Sequence, residues 1–319
     1  MKILSNWIRF FMTYLSFPSN MTNEILSEKQ KELIKHLKFK ADVLIKSNHK
    51  YKKLETHEIF SNSVLSLIVS GNLSNFLRKS FIQKMFFTHN RFYNYKFLKK
   101  ILLKNSEFWN KLLKENNVGN PVPFFLYKLS SGNRIRQVYL LKEIFEFSKI
   151  NSVNSVIEIG GGYGSMTSII HKINQNVDYT IFDLPEVNLL QFYYLNSLKI
   201  DCEISGLNKN ISLLSELSLL KKKINSLKSK NQKILLIANW SLSEMPISLR
   251  QELEFLFLSC DYAIISFQSN FEEISNISYF ENLRKKLEPS FLVSINPINE
   301  MNTIFNSNKH FKFLIKKIN

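Results

Sequence analysis

Four of the chain's eight glycines fall within five positions, in the run Glu158-Ile159-Gly160-Gly161-Gly162-Tyr163-Gly164. Residues 153–159 form the short apolar stretch of a buried parallel strand, and residues 166–173 resume helical spacing. A strand that ends in glycines and reopens as a helix turns tightly and lets a ligand approach with no Cβ in the way. The helix N-terminus beyond it favours negative charge. Few arrangements other than a ligand-binding βα turn accommodate that sequence.

The same alternation continues downstream. Residues 179–182, 234–238 and 262–267 read as strands, and residues 187–198, 213–227 and 249–258 as helices. Strand–helix alternation predicts an α/β, Rossmann-like, doubly wound parallel sheet. Residues 291–295, followed by 303–305 with 311–318, predict a closing hairpin. Residues 21–118 are helical in pattern: Leu33, Leu37, Val43 and Leu44 recur at three- and four-residue spacing, as do Phe97, Leu98, Ile101 and Leu102. The chain of 319 residues fits about two domains. The expected division is 1–118 (helical, for acceptor binding or oligomerisation, for instance as a homodimer), 119–150 (a loop with Gly132, Arg134 and Arg136, then a helix over 138–150) and 151–319 (the α/β sheet). The Lys/Ser-rich stretch 221–233 reads as a solvated helix face and loop.

Two ligand classes use a glycine turn of this kind. The dinucleotide pattern GxGxxG/A, started at Gly160, requires Gly or Ala at Ser165 and fails there. The pattern present is acidic-x-Gly-x-Gly-x-Gly, from Glu158 through Gly164, which is that of S-adenosylmethionine sites. Asp183 ends the next strand, nineteen residues after Gly164. A carboxylate there can accept hydrogen bonds from ribose hydroxyls, and it also stands where an N-cap would, before Leu184-Pro185.

The segments Glu-Ile-Gly-Gly-Gly-Tyr-Gly (158–164) and Phe-Asp-Leu-Pro-Glu-Val (182–187) resemble the class I S-adenosylmethionine-dependent methyltransferases. Asn239-Trp240-Ser241-Leu242-Ser243-Glu244-Met245-Pro246, with Val118-Gly119-Asn120-Pro121 upstream, resembles a bacterial family of sugar O-methyltransferases. The resemblance runs from about residue 110 to 270. It implies S-adenosyl-L-methionine as cofactor, held by Glu158, Gly160, Gly161, Gly162, Tyr163, Gly164, Asp183, Leu184, Asn239 and Trp240. It also implies methylation of a hydroxyl on a sugar or glycan building block, as in surface polysaccharide biosynthesis. Plant small-molecule O-methyltransferases place His-Asp-Trp where this chain has Ala238-Asn239-Trp240, so their histidine base is missing here.

A sugar hydroxyl attacks well only once its proton is accepted. Glu244, beyond the fourth strand, is the candidate base, with Asn239 beside it. Ser241-x-x-Glu244 is also a capping box. Trp240 stacks on a sugar or on adenine, or else packs in the core. Ser241 and Ser243, with Asn120, Tyr127, Arg134 and Arg136 from the loop before the sheet, are the substrate-binding candidates. The two arginines would meet a phosphate on a nucleotide-linked or lipid-linked acceptor. His171 is placed on the outer side of its helix and His310 in the tail hairpin. His36, His49, His57 and His89 lie in the helical half, from which one could reach across. No cluster has metal-ligand spacing, so no metal is expected.

The charge is uneven. Residues 1–150 hold 26 Lys+Arg and 10 Asp+Glu, a net +16, whereas residues 151–319 hold 17 and 16, a net +1. Either the helical half meets an acidic partner or composition merely drifts. A nucleic-acid methyltransferase using this half as platform, a non-sugar O-methyltransferase and a non-catalytic scaffold are the competing readings. The first lacks an Asn-Pro-Pro-Tyr-type motif and any RNA-binding module. With 45% hydrophobic residues, disorder is excluded; 8 Gly, 7 Pro and 2 Cys exclude collagen-like and disulfide-scaffold classes. Cys202 and Cys260, far apart and outside any CxxC, fit a reducing cytoplasm. Residues 1–17 are apolar but interrupted by Arg9 and lack a cleavage motif. They read as docking on the core or as an interfacial helix at the inner face of the membrane.

Overall fold

The computed structural model describes residues 26–47, 55–86, 91–103, 106–148, 153–302 and 308–318. The apolar stretch 1–17, the expected strand at 303–305, His49 and His89 lie outside them.

The helices are α1 (Glu28–Ser47), α2 (Glu55–Ser70), α3 (Ser80–Met85), α4 (Tyr93–Leu102), α5 (Glu107–Leu113), α6 (Gly132–Ser148), α7 (Ser165–Ile173), α8 (Pro185–Ser197), α9 (Leu217–Ser229), α10 (Ile247–Leu253), α11 (Phe255–Ser259) and α12 (Asn276–Leu287). The strands are β1 (Pro123–Phe124), β2 (Tyr127–Ser131), β3 (Ser155–Ile159), β4 (Asp178–Phe182), β5 (Glu203–Ile204), β6 (Ile211–Leu214), β7 (Ile234–Asn239), β8 (Tyr262–Gln268), β9 (Asn270–Phe271), β10 (Ile274–Ser275), β11 (Phe291–Pro297) and β12 (His310–Lys317).

Eight strands form one sheet in the order β11-β12-β8-β7-β3-β4-β6-β5. The strands from β8 to β5 are mutually parallel, and β12 runs antiparallel between β8 and β11, closing the sheet with the expected hairpin. After β3 the chain winds outward through β4, then returns to the other side of β3 at β7. This is the Rossmann-like, doubly wound α/β fold that the sequence implies. The reversal between β3 and β7 opens a crevice outside the carboxyl ends of the strands, where such sheets bind ligands.

The central strands are buried on both faces, with period two deciding which core each residue joins. Val156, Leu235, Ile237 and Ile264 point into one core; Ile157, Leu236, Ala238 and Ile265 point into the other. The second core is covered by α9, α10, α11 and α12. The first takes in α6, α7 and α8 and also Ile34, Leu37, Phe60, Val64, Phe97 and Ile101 of the N-terminal helices. The helical region therefore shares a continuous core with the sheet, with α1 and α2 packed on α8 and α4 on α6.

Four local expectations are corrected. Residues 213–214 belong to strand β6, and the helix begins at Leu217. Arg134 and Arg136 lie on α6, which starts at Gly132, and not in a loop. The stretch 249–258 is broken into α10 and α11. Lys223 is no solvated lysine: it is buried and paired with Asp178 at 2.8 Å. Among the described residues no helix is long and apolar enough to cross a membrane.

Candidate active site

The turn after β3 has the backbone its glycines were expected to need. Gly160, Gly162 and Gly164 have φ of +70°, +58° and +91°, in the left-handed region. A Cβ on Gly160 would strike the Cβ of Ser241, whose hydroxyl donates to the Ile159 carbonyl. The glycine run thus lets the loop after β7 approach the loop after β3, so that both border one cleft.

Glu158, at the end of β3, is buried and accepts a hydrogen bond from the Tyr179 hydroxyl at 2.7 Å. Asp183 follows β4. Its Oδ1 accepts from the Leu184 amide and its Oδ2 from Gln191 Nε2, each at 2.8 Å. The same Gln191 nitrogen donates to the Gly162 carbonyl at 2.9 Å, locking Asp183 to the glycine loop. Tyr163 closes the floor, its hydroxyl accepting from Asn133 Nδ2 at 2.9 Å.

The opposite wall is built from the end of β7. Asn239 is followed by Trp240 at φ +65°, a left-handed conformation that costs a non-glycine residue about 1–3 kcal/mol. The strained turn is held on all sides: the Trp240 amide donates to the Ser266 carbonyl at 2.8 Å, and its indole N–H to His310 Nδ1 at 3.0 Å. The Arg136 guanidinium stacks over its ring at 5.3 Å. Burial, with Arg136 nearby, pushes the His310 imidazole down to about 4, so it is a neutral acceptor.

Glu244 lies in the short 3-10 turn Ser241–Glu244 and lines the cleft. Its Oε1 accepts from Gln268 Nε2 at 3.3 Å, and Gln268 Oε1 lies 2.9 Å from the Ser243 hydroxyl, which is 2.6 Å from the Trp240 carbonyl. Arg250, fully buried, grips the segment by donating to the carbonyls of Ser243 (2.6 Å) and Met245 (2.8 Å) and to Asn276 Oδ1 (2.7 Å). The capping-box alternative is not what forms: the residue capping this turn is Trp240, which makes no side-chain cap bond, and the Ser241 hydroxyl donates to the Ile159 carbonyl.

Burial pushes three carboxyls of this cleft, Glu158, Asp183 and Glu244, each up to about 7. Each binds its proton more tightly in the fold than in the unfolded chain. That contribution is fully present below the ordinary carboxylate range and is lost as pH rises through about 7. The ligand-free protein is therefore expected to lose Tm between pH 5 and pH 8, with Glu244→Gln flattening part of that slope. Thermal melts of both proteins across this range check it; parallel slopes would refute the assignment for Glu244.

Of the substrate candidates, Ser241 and Arg136 line the cleft. Ser243 sits behind it, holding Gln268. The other three are placed elsewhere. Arg134 is 0% exposed and bonds the Leu112 carbonyl (2.8 Å) and the Ser168 hydroxyl (3.2 Å), so it is a core residue of the α6 packing and no phosphate contact. Asn120 turns at φ +54° and donates to Asn75 Oδ1 at 2.6 Å. Tyr127 belongs to β2, in a hairpin with β1 outside the cleft. His171, on α7, is half-buried and does not line the cleft.

The helical region supplies a further wall, and it brings His57, one of the four histidines of that half expected to be within reach, to the cleft. His57 and Phe60 of α2, with Met85 and Phe86 at the end of α3, line the cleft. Phe86 lies over Gly162 and meets Tyr163 at 6.1 Å between ring centroids. The α6 residues Asn133 and Gln137 complete that side. Among the described residues no group of three metal-ligating side chains forms.

No family model matches the chain, and no curated protein does. Solved structures similar to it include the methyltransferase domain of bacterial CtHen1, at 17% identity over 57% of this chain and 97% of that one, with a TM-score of 0.41. Another is Haemonchus contortus phosphoethanolamine N-methyltransferase 2 in complex with S-adenosyl-L-methionine, at 8% identity, 56% and 52% coverage and a TM-score of 0.39; this chain spans about half its length. MtNAS in complex with MTA and tNA gives 11% identity, 92% and 100% coverage and a TM-score of 0.38. Likenesses this distant say nothing of the reaction.

Proposed function

We propose that this chain is an S-adenosylmethionine-dependent O-methyltransferase acting on a hydroxyl of a sugar or glycan building block. One observation carries the reading: a glycine turn after β3, a carboxylate after β4 and a carboxyl of raised pKa after β7 all border one cleft at the switch point of the sheet.

The residues fit the cofactor. Two of the lone-pair directions of Asp183 are used by Leu184 and Gln191, which leaves two for ribose hydroxyls. The left-handed glycines present bare backbone on the same side, and Glu158 stiffens the turn from beneath. When bound, S-adenosylmethionine supplies a methyl group activated on a sulfonium. Glu244 accepts the proton of the attacking hydroxyl, and a base titrating near 7 is matched to that task at neutral pH. Gln268 fixes the carboxyl's orientation, and Arg250 fixes the backbone that carries it. Phe60, Met85 and Phe86 keep water from the reacting atoms, while Trp240, buried and covered by Arg136, is part of the packed wall of the cleft.

The cleft speaks against a nucleic-acid substrate. Its lining holds one arginine and no lysine among the described residues, so the surplus charge of the helical half is not gathered there. Arg136 is the side chain that would meet a phosphate on a nucleotide-linked or lipid-linked acceptor. Its Nη2 already donates to the Phe86 carbonyl (3.2 Å) and Asn133 Oδ1 (2.7 Å).

Calorimetric titration with S-adenosylmethionine, with NAD as control, tests the cofactor class. Micromolar binding of the first alone is expected. Binding of NAD alone, or of neither, would overturn the reading.

A further inference from the structure

The wall where α6 meets the end of β7 holds polar groups that methyl activation does not use. Both polar atoms of the Asn239 amide and the Oε1 of Gln137 are shut from solvent with no hydrogen-bond partner in the protein. Buried amide groups are nearly always paired, and three such atoms on two side chains of one wall call for a partner from outside the chain. Both side chains line the main cleft. Both also line a small side cavity behind it, with Arg136 and Trp240 shared between the two. The rest of that side cavity is lined by Phe97, Leu140, Ile298 and Met301 together with Tyr139, Ser266 and Lys312, the last paired with Glu143.

The chemistry of the three atoms selects the ligand. Asn239 offers a donor and an acceptor, and Gln137 Oε1 adds a second acceptor. A phosphate or carboxylate only accepts: it could take a hydrogen bond from Asn239 Nδ2 and face Arg136, but it would leave both acceptor oxygens of the set without a donor. A hydrocarbon would leave all three atoms unpaired. A pair of neighbouring hydroxyls both donates and accepts and satisfies the set. We propose that Gln137 and Asn239 form a hydroxyl-recognition subsite that seats the acceptor by two hydroxyls other than the one methylated, as a pyranose ring would offer. Resting on the methyl-transfer reading, it assigns the substrate class to two residues on two different elements. Discrimination by such a site is steep, because a ligand lacking the hydroxyls leaves the amides unpaired.

The test is saturation-transfer NMR on the full chain with methyl α-D-glucopyranoside, -galactopyranoside and -mannopyranoside, with and without S-adenosylhomocysteine. At least one sugar is expected to contact the wild-type protein. Gln137→Leu and Asn239→Leu are each expected to cut that signal at least tenfold. Gln137→Leu is expected to keep S-adenosylmethionine affinity within about twofold and to leave Tm unlowered, since it removes an unpaired group. No contact by any of the three sugars, or signals undiminished in both variants, would overturn the subsite. If Asn239→Leu fails to fold, the side-chain amide resonances of Gln137 and Asn239 in ¹⁵N-labelled wild-type protein decide instead: shifts on adding sugar support the subsite, and stationary resonances overturn it. Calorimetry with S-adenosylmethionine on the same samples separates the two readings. Cofactor binding without sugar contact overturns the subsite alone, and sugar contact without cofactor binding overturns methyl transfer alone.

Discussion

Glu244→Gln is expected to keep the fold and the cofactor and to lose turnover by ~10²–10⁴-fold, the usual contribution of a positioned general base. The substitution keeps the shape and preserves an oxygen for Gln268 Nε2 to donate to. What it removes is the capacity to take a proton. Because burial holds the Glu244 carboxyl up near 7, the wild-type rate should climb as pH rises through about 7 and level off above it, as the carboxylate form becomes complete. In the variant that rising limb should vanish. Initial rates of methyl transfer to a sugar acceptor between pH 5.5 and 8.5 decide the matter. Full activity in the variant, or an unchanged limb, would exclude Glu244 as base. Gln268→Leu gives a graded companion result: the base remains but loses its orienting donor, so turnover falls less and the limb shifts upward.

What could be read from the chain divides along physical lines. The glycine turn and Asp183 were legible because their constraint is local. Positive φ at three alternate positions demands glycine, and a carboxylate at a strand end needs no partner to be noticed. The central strands were legible because burial on both faces leaves continuous apolar runs. Residues 213–214 were misread because Ile211-Ser212-Leu213-Leu214 is short and apolar and runs straight into the period of α9, where pattern alone does not separate strand from helix. Arg134 was misread for a different reason. A guanidinium near a glycine suggests a loop and a ligand, yet α6 begins at Gly132 and its register turns Arg134 inward onto the Leu112 carbonyl. Arg250, Gln268 and Gln137 carried no signal, since each is a single polar residue whose role appears only when a distant element is folded against it; His57 was visible only as one of four histidines of the helical half, and the packing of α2 is what brings it to the cleft. Asn239 was visible in its motif, but the unpaired state of its amide is a property of packing.

The loss expected for Asp183→Ala is ~1–3 kcal/mol of S-adenosylmethionine binding, roughly 5- to 150-fold in Kd, because it removes hydrogen bonds to a charged acceptor. Two features of the site make this a sharper test than a generic pocket mutation. First, burial has already pushed the carboxyl up to about 7, so in the ligand-free protein it is held at a cost in its charged form. Its removal should leave ligand-free stability at pH 8 little changed, whereas a merely structural N-cap would lower Tm once lost. Second, hydroxyls that donate to the carboxylate favour its ionised form. Wild-type affinity should therefore rise with pH up to about 7 and then flatten, and the variant should lack that dependence. Gln191 keeps its bond to the Gly162 carbonyl in the variant, so the glycine turn has an independent reason to persist. Calorimetry at pH 6 and pH 8 on both proteins, with a melt of each, reads all of this at once. Unchanged affinity would show that Asp183 does not meet the ribose. A large drop in Tm with unchanged affinity would return it to the role of a helix cap.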